Sequence, residues 1–73
     1  PDQAWGCREL ALLLVHRREF DEARRFSEMS LRIEPNLPSS LDVHAYVLRL
    51  EGRIDEARDY LCRAIRLSVD ADY

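Results

Sequence analysis

The sequence predicts an all-α chain: two tandem antiparallel helix hairpins, four helices in all, stacked as an α-solenoid over residues 1–73. Three observations predict it. Asp21-Glu22-Ala23-Arg24 recurs as Asp55-Glu56-Ala57-Arg58, 34 residues later. Residues of matching size recur around it: Ala11 with Ala45, Leu14 with Leu48, Phe20 with Ile54, Phe26 with Tyr60, Leu31 with Ile65, Arg32 with Arg66 and Ile33 with Leu67. Apolar residues in each half follow helical spacing, and short turn signals separate them. A fixed period of this length marks stacked units, each too small to bury its apolar face alone.

The first helix is expected over about 3–17, with Asp2 as N-cap. Cys7, Leu10, Ala11 and Leu14 fall at i, i+3, i+4 and i+7, one helical face. Arg17-Arg18-Glu19 is the turn, its cations suiting the C-terminal end of the helix dipole. The second helix runs from Phe20 to Ile33, with acids in its first turn and the i,i+4 pairs Asp21–Arg25 and Glu28–Arg32. Glu34-Pro35-Asn36-Leu37-Pro38 stops it, because proline cannot continue a helix and its predecessor avoids the α region. The third helix starts at Pro38 or Ser39, with proline at the first position or a Ser39–Asp42 capping box. Leu41, His44, Ala45 and Leu48 form its apolar face, and Gly52 ends it in the left-handed conformation. The fourth covers about Ile54 to Ser68, with Ile54, Ala57, Leu61, Ala64, Ile65 and Ser68 as its stripe; Asp70 to Tyr73 reads as a tail or the entry to a further element.

Composition narrows the function. The net charge of −3 is evenly spread: residues 1–36 carry six Arg against seven acids, and 37–73 carry five against seven. That excludes a basic nucleic-acid stripe or a polybasic membrane patch. All eleven basic residues are Arg, so no lysine is present for Schiff-base chemistry. Cys7 and Cys62 make no disulfide framework. No apolar run is long enough to span a bilayer, and a cytoplasmic setting is expected. Cys7, His16, His44 and Cys62 lack metal-ligand spacing, so no metal and no cofactor is expected. Cys7 and His44 read as core residues, His44 with one ring nitrogen hydrogen-bonded, and Cys62 as a surface residue. The acid pairs Asp21-Glu22 and Asp55-Glu56 sit at helix starts, where the dipole explains them. Nothing accompanies them that would make an enzyme.

The period, the helix order and the residues Leu10-Ala11, Leu14, Phe20-Asp21-Glu22-Ala23 and Pro35-Asn36, then Ala45, Leu48, Gly52, Ile54-Asp55-Glu56-Ala57, Leu61 and Ala64, resemble the tetratricopeptide repeat. The resemblance covers two units, about 4–37 and 38–71. Arg18 stands where the family has its turn glycine, His44 where it has a core leucine, and Ser27 where it has a bulky residue, with Phe26 beside it. A plain four-helix bundle or another helical-hairpin repeat is the competing architecture.

The resemblance implies a binding scaffold whose first helices line a concave groove. Carried over by position, the groove holds Trp5, Arg8, Leu12, Val15 and His16 from the first unit, and Ser39, Asp42, Tyr46, Arg49 and Leu50 from the second. Trp5, Leu12, Val15, Tyr46 and Leu50 would be its apolar floor, and Arg8, Asp42 and Arg49 its polar rim. The implied partner is a protein or peptide, as a helix or an extended apolar segment. The alternative is a structural, oligomerisation or packing module appended to a larger enzyme or regulator, with Leu12, Leu13 and Val15 against a neighbouring repeat or a second copy. Two units are fewer than the three such arrays usually need, so the chain is expected to be part of a longer protein or completed by a partner. Its own stability should be only about 3–5 kcal/mol.

Overall fold

A computed structural model describes residues 3–71, with the side chains of residues 70 and 71 left out of the description. The expected cap at Asp2 lies outside the described residues, as do residues 72 and 73 of the expected tail. The chain forms four helices, α1 (Gln3–His16), α2 (Phe20–Ile33), α3 (Pro38–Leu50) and α4 (Ile54–Ala71), and no strand occurs among the described residues. Each boundary falls within a few residues of its expected place. The largest difference is at α4, which runs past Ser68 to Ala71.

The two hairpin turns have the same backbone plan one period apart. Arg18 N–H donates to the Val15 carbonyl at 2.9 Å and Glu19 N–H to that of Leu14 at 2.9 Å. Gly52 N–H donates to Arg49 at 3.0 Å and Arg53 N–H to Leu48 at 2.9 Å. Both are Schellman closures, in which two amides beyond the helix cover its last orphan carbonyls. The motif needs a left-handed residue, and here these are Gly52 at φ 87° and Arg18 at φ 61°. At the third connection Pro38 opens α3 directly after Leu37, with no side-chain cap, so the Ser39–Asp42 capping box does not form. Proline's fixed φ and missing N–H make a side-chain cap dispensable there. The pairs Asp21–Arg25 and Glu28–Arg32 give way to pairs through Arg24, which reaches Asp21 at 3.5 Å and Glu28 at 3.8 Å.

Packing follows chain order. α1 lies against α2, α2 against α3, α3 also against α1, and α4 against α3; among the described residues no Cα of α4 comes within 8 Å of α1 or α2. A closed bundle would return α4 to α1, so the arrangement is open. The molecule is a slab 39 × 32 × 17 Å, thin enough that every helix keeps a solvent-facing side.

Small residues set the helix spacing. Ala4, Ala11, Ala23, Ser27 and Ser30 are fully buried in the first hairpin, and small side chains let backbones approach at interior density. Val15, Ala23 and Val47 form one core cluster, with Leu14, Phe20 and Tyr46 packed against it. Ala45, Leu48 and Ala57 form the other, under Tyr60. The expected α3 face of Leu41, His44, Ala45 and Leu48 is buried throughout. Two stripes depart from expectation. In α1, Leu10 is exposed and Leu14 half-buried, while Ala4 and Val15 join Cys7 and Ala11 inside. Among the described side chains of α4 only Ala57 and Ala64 are buried; Ile54, Leu61, Ile65 and Ser68 are exposed. Both departures have one cause. Among the described residues no further helix covers Leu10 or the exposed α4 side chains.

Candidate partner-binding face

α1 and α3 lie side by side, one period apart in sequence, and the candidate residues divide between them. Arg8 is half-buried and its Nη1 donates to Ser40 Oγ at 3.3 Å, tying the two helices together. Leu12 is half-buried beside it in sequence position one turn on, and Trp5, His16 and Ser39 are exposed. On α3, Tyr46 is half-buried against the Val15–Ala23–Val47 cluster. The Arg49 guanidinium carbon stands 5.4 Å from the Tyr46 ring centroid, a cation–π distance. Asp42 and Leu50 are exposed. Val15 departs from its expected place: it is buried against Ala23 and Val47 and offers a ligand almost no area. Residue 15 lies on the side of α1 that meets both neighbouring helices, so packing takes it.

Asp42, Tyr46 and Arg49 converge on one cavity of about 190 Å³, which Ala45 and Leu61 complete. It offers an aromatic face, an aliphatic wall and one charge of each sign. Leu61 was not among the candidates. Its only signal in the sequence was its place one period beyond Ser27, a small residue replaced by a large one. A larger hollow, about 320 Å³, is lined by Glu56, Asp59, Tyr60 and Arg63, all from α4. A third, about 170 Å³, lies between Asp42 and the α4 residues Ala64, Ile65, Ser68 and Val69.

Beneath this face a polar cluster joins the two hairpins. Ser27 Oγ donates to the Arg24 carbonyl at 2.9 Å and stands 2.6 Å from His44 Nδ1. A hydroxyl has one proton to give, so with that proton on Arg24 the short contact is Nδ1–H donating to Ser27. The His44 ring meets Tyr60 edge to face, centroids 4.6 Å apart. Burial pushes the His44 pKa below its ordinary value; Glu28 and Glu56 oppose that shift and Arg24 reinforces it. Arg24 Nη1 also donates to Glu51 Oε2 at 2.6 Å across the α2–α3 junction, while Glu51 Oε1 is buried without a hydrogen-bond partner. A serine beside a histidine has the outline of a nucleophile and base, but Ser27 and His44 are both buried and neither lines the cavities above. They serve as a junction.

Among the described residues no group of three or more His, Cys, Asp or Glu could hold a metal ion. Cys7 is buried and Cys62 exposed, both as free thiols. No helix among the described residues is long and apolar enough to cross a membrane. No protein-family model matches the sequence, and no curated protein matches it.

Proposed function

We propose that the chain is a protein-interaction module of the tetratricopeptide-repeat type, two stacked hairpins that take an apolar helix or extended peptide along the wall formed by α1 and α3. One observation carries the reading. α1 touches α3 directly while, among the described residues, α4 touches neither α1 nor α2, which supports reading equivalent positions of the two first helices as one open side. On that side Tyr46 supplies the anchor, Leu12 extends the apolar surface toward α1, and Arg8, Asp42 and Arg49 orient polar groups at the edge. Val15 leaves the binding set and Leu61 joins it. Aromatic side chains with a neighbouring Arg are what protein-binding surfaces use most for affinity. No chemical step is involved, and recognition is by shape and apolar complementarity.

The test is a displayed peptide library selected on the chain. Selected peptides should lose binding when Leu12→Asp and Tyr46→Ala are combined, with far-UV circular dichroism unchanged. Undiminished binding would overturn the groove.

The exposed Leu10, Leu13, Ile65 and Val69 favour a second reading, in which the module packs against a neighbouring domain or a second copy. Light scattering separates them: a discrete dimer that Leu13→Asp abolishes would support packing over peptide capture.

A further inference from the structure

The internal repeat allows one interface of the molecule to be projected onto an open face. α2 is covered by α3, and among the described residues its equivalent α4 has no helix in that place. Arg24 and Ser27 of α2 meet the end and the middle of α3, and Leu31 lies one turn beyond Ser27; one period on these are Arg58, Leu61 and Ile65. Ser27 is fully buried and Leu61 is 40 % exposed. Leu31 is half-buried and Ile65 is 62 % exposed. The Arg24 side chain is 24 % exposed and that of Arg58 71 %. Ile54, Leu61, Ile65 and Val69 make a continuous apolar stripe along α4, with Arg58 beside it. Arg58 pairs with Asp55 at 3.6 Å, repeating Arg24 with Asp21 at 3.5 Å, so its guanidinium starts from the same place.

The existing interface says what fits. α3 runs antiparallel to α2, because Arg24 near the start of α2 meets Glu51 at the end of α3, while Ser27 further along α2 meets His44 earlier in α3. α3 presents His44, Val47 and Glu51 to this junction. On α4 the polar Ser27 has become Leu61, so the partner position matching His44 must be apolar. The arginine is kept, so the position matching Glu51 must be acidic. A second copy of this chain in the same relation fails that requirement. Its residues at these places are Leu10, Leu13 and Arg17, and Arg17 would be set against Arg58.

We propose that the open face of α4 binds a separate amphipathic helix, antiparallel to α4, with apolar residues at i and i+3 and a carboxylate at i+7. The residue at i covers Leu61, that at i+3 packs toward Ala57 as Val47 does on Ala23, the carboxylate meets Arg58, and the residue three before i covers Ile65. Covering an arginine–carboxylate pair with apolar surface makes it count for more than it does in open solvent. This face shares Leu61 with the cavity of Asp42, Tyr46 and Arg49 and involves no residue of α1, so a change on α1 separates the proposal from the function proposed above.

The probe is a stapled, fluorescently labelled peptide of residues 38–51 of this chain carrying His44→Leu, which has the required pattern at 44, 47 and 51. Anisotropy with the full chain should give saturable binding. Ile65→Asp should abolish it. Arg58→Glu should weaken it about tenfold, and Glu51→Arg in the peptide should restore binding to that variant. Leu12→Asp should leave it unchanged. Failure to saturate, indifference to Ile65→Asp, which would mean the peptide displaces α3 instead, or absence of charge-swap rescue each overturns the proposal. So does a concentration-dependent dimer of the chain that Ile65→Asp and Leu10→Asp each abolish, because a second copy would then be the occupant.

Discussion

The two hairpins repeat one backbone and differ in what surrounds it. Their turns close through the same pair of amide–carbonyl bonds, and their second helices start with the same acids and the same Arg–Asp pair. Yet α2 carries Ser27 and Ser30 where α4 carries Leu61 and Ala64, and a fully buried serine is the counterpart of a half-open leucine. Burial and hydrophobicity run opposite ways across the repeat. Ser27 is inside because His44 supplies its hydrogen bond at a junction where little volume is free. Leu61 is half-open because, among the described residues, no helix beyond α3 reaches it. Polarity therefore tracks the partner at each position more than the depth.

Exchanging the residues of the two hairpins tests this directly. Ser27→Leu should be the most damaging change: it crowds a fully buried site and strips His44 Nδ1 of its acceptor, for a loss of about 2–4 kcal/mol. The reverse change, Leu61→Ser, should cost less than about 1 kcal/mol because its site is partly open to water. Urea denaturation separates the two, and equal losses would refute the asymmetry.

Next come the arginines. Arg24→Met leaves Glu51 poorly solvated and unpaired and should cost about 1–3 kcal/mol. Arg58→Met breaks only an exposed pair and should stay within about 0.5 kcal/mol. Calorimetric midpoints check this, since each kcal/mol shifts a domain of this size by about 4–8 °C.

The turns predict opposite signs. Arg18→Gly should stabilise by about 1 kcal/mol by relieving the left-handed arginine, and Gly52→Ala should destabilise by about as much.

The finest test is acid titration of stability. Burial holds the folded His44 pKa below the unfolded value of about 6.5, so the unfolded chain binds the proton more tightly. The stability that neutral His44 contributes is fully present above about pH 6.5 and is lost as pH falls through that value toward the folded pKa. His44→Gln should flatten this part of the stability–pH curve, and an unchanged slope would remove His44 as its source.

Much of the architecture was legible before any coordinates. The period located both turns, Pro35 and Pro38 located the break between hairpins, and all four residues of the expected α3 stripe are buried, though Ser40 and Val47 are buried beside them. The candidate face was legible only in part. Asp42, Tyr46 and Arg49 line one cavity with no residue of α1, Val15 lies in the core, and Leu61 completes the cavity from another helix. Helical spacing says which residues share a side, and it carries no label for which side meets a neighbour.

Local chemistry alone thus determined the four helices, their ends and their pairing into two like units, because proline, glycine, capping geometry and apolar spacing act within a turn or two of chain. Tertiary structure decided which apolar stripes are covered, that Arg24 spans the junction to Glu51, and that Ser27 and His44 complete each other in the interior. Those outcomes depend on residues 17 or more positions apart meeting in space. Side-chain volume and hydrogen-bond geometry at that meeting, absent from any local pattern, select which of the equivalent positions become core.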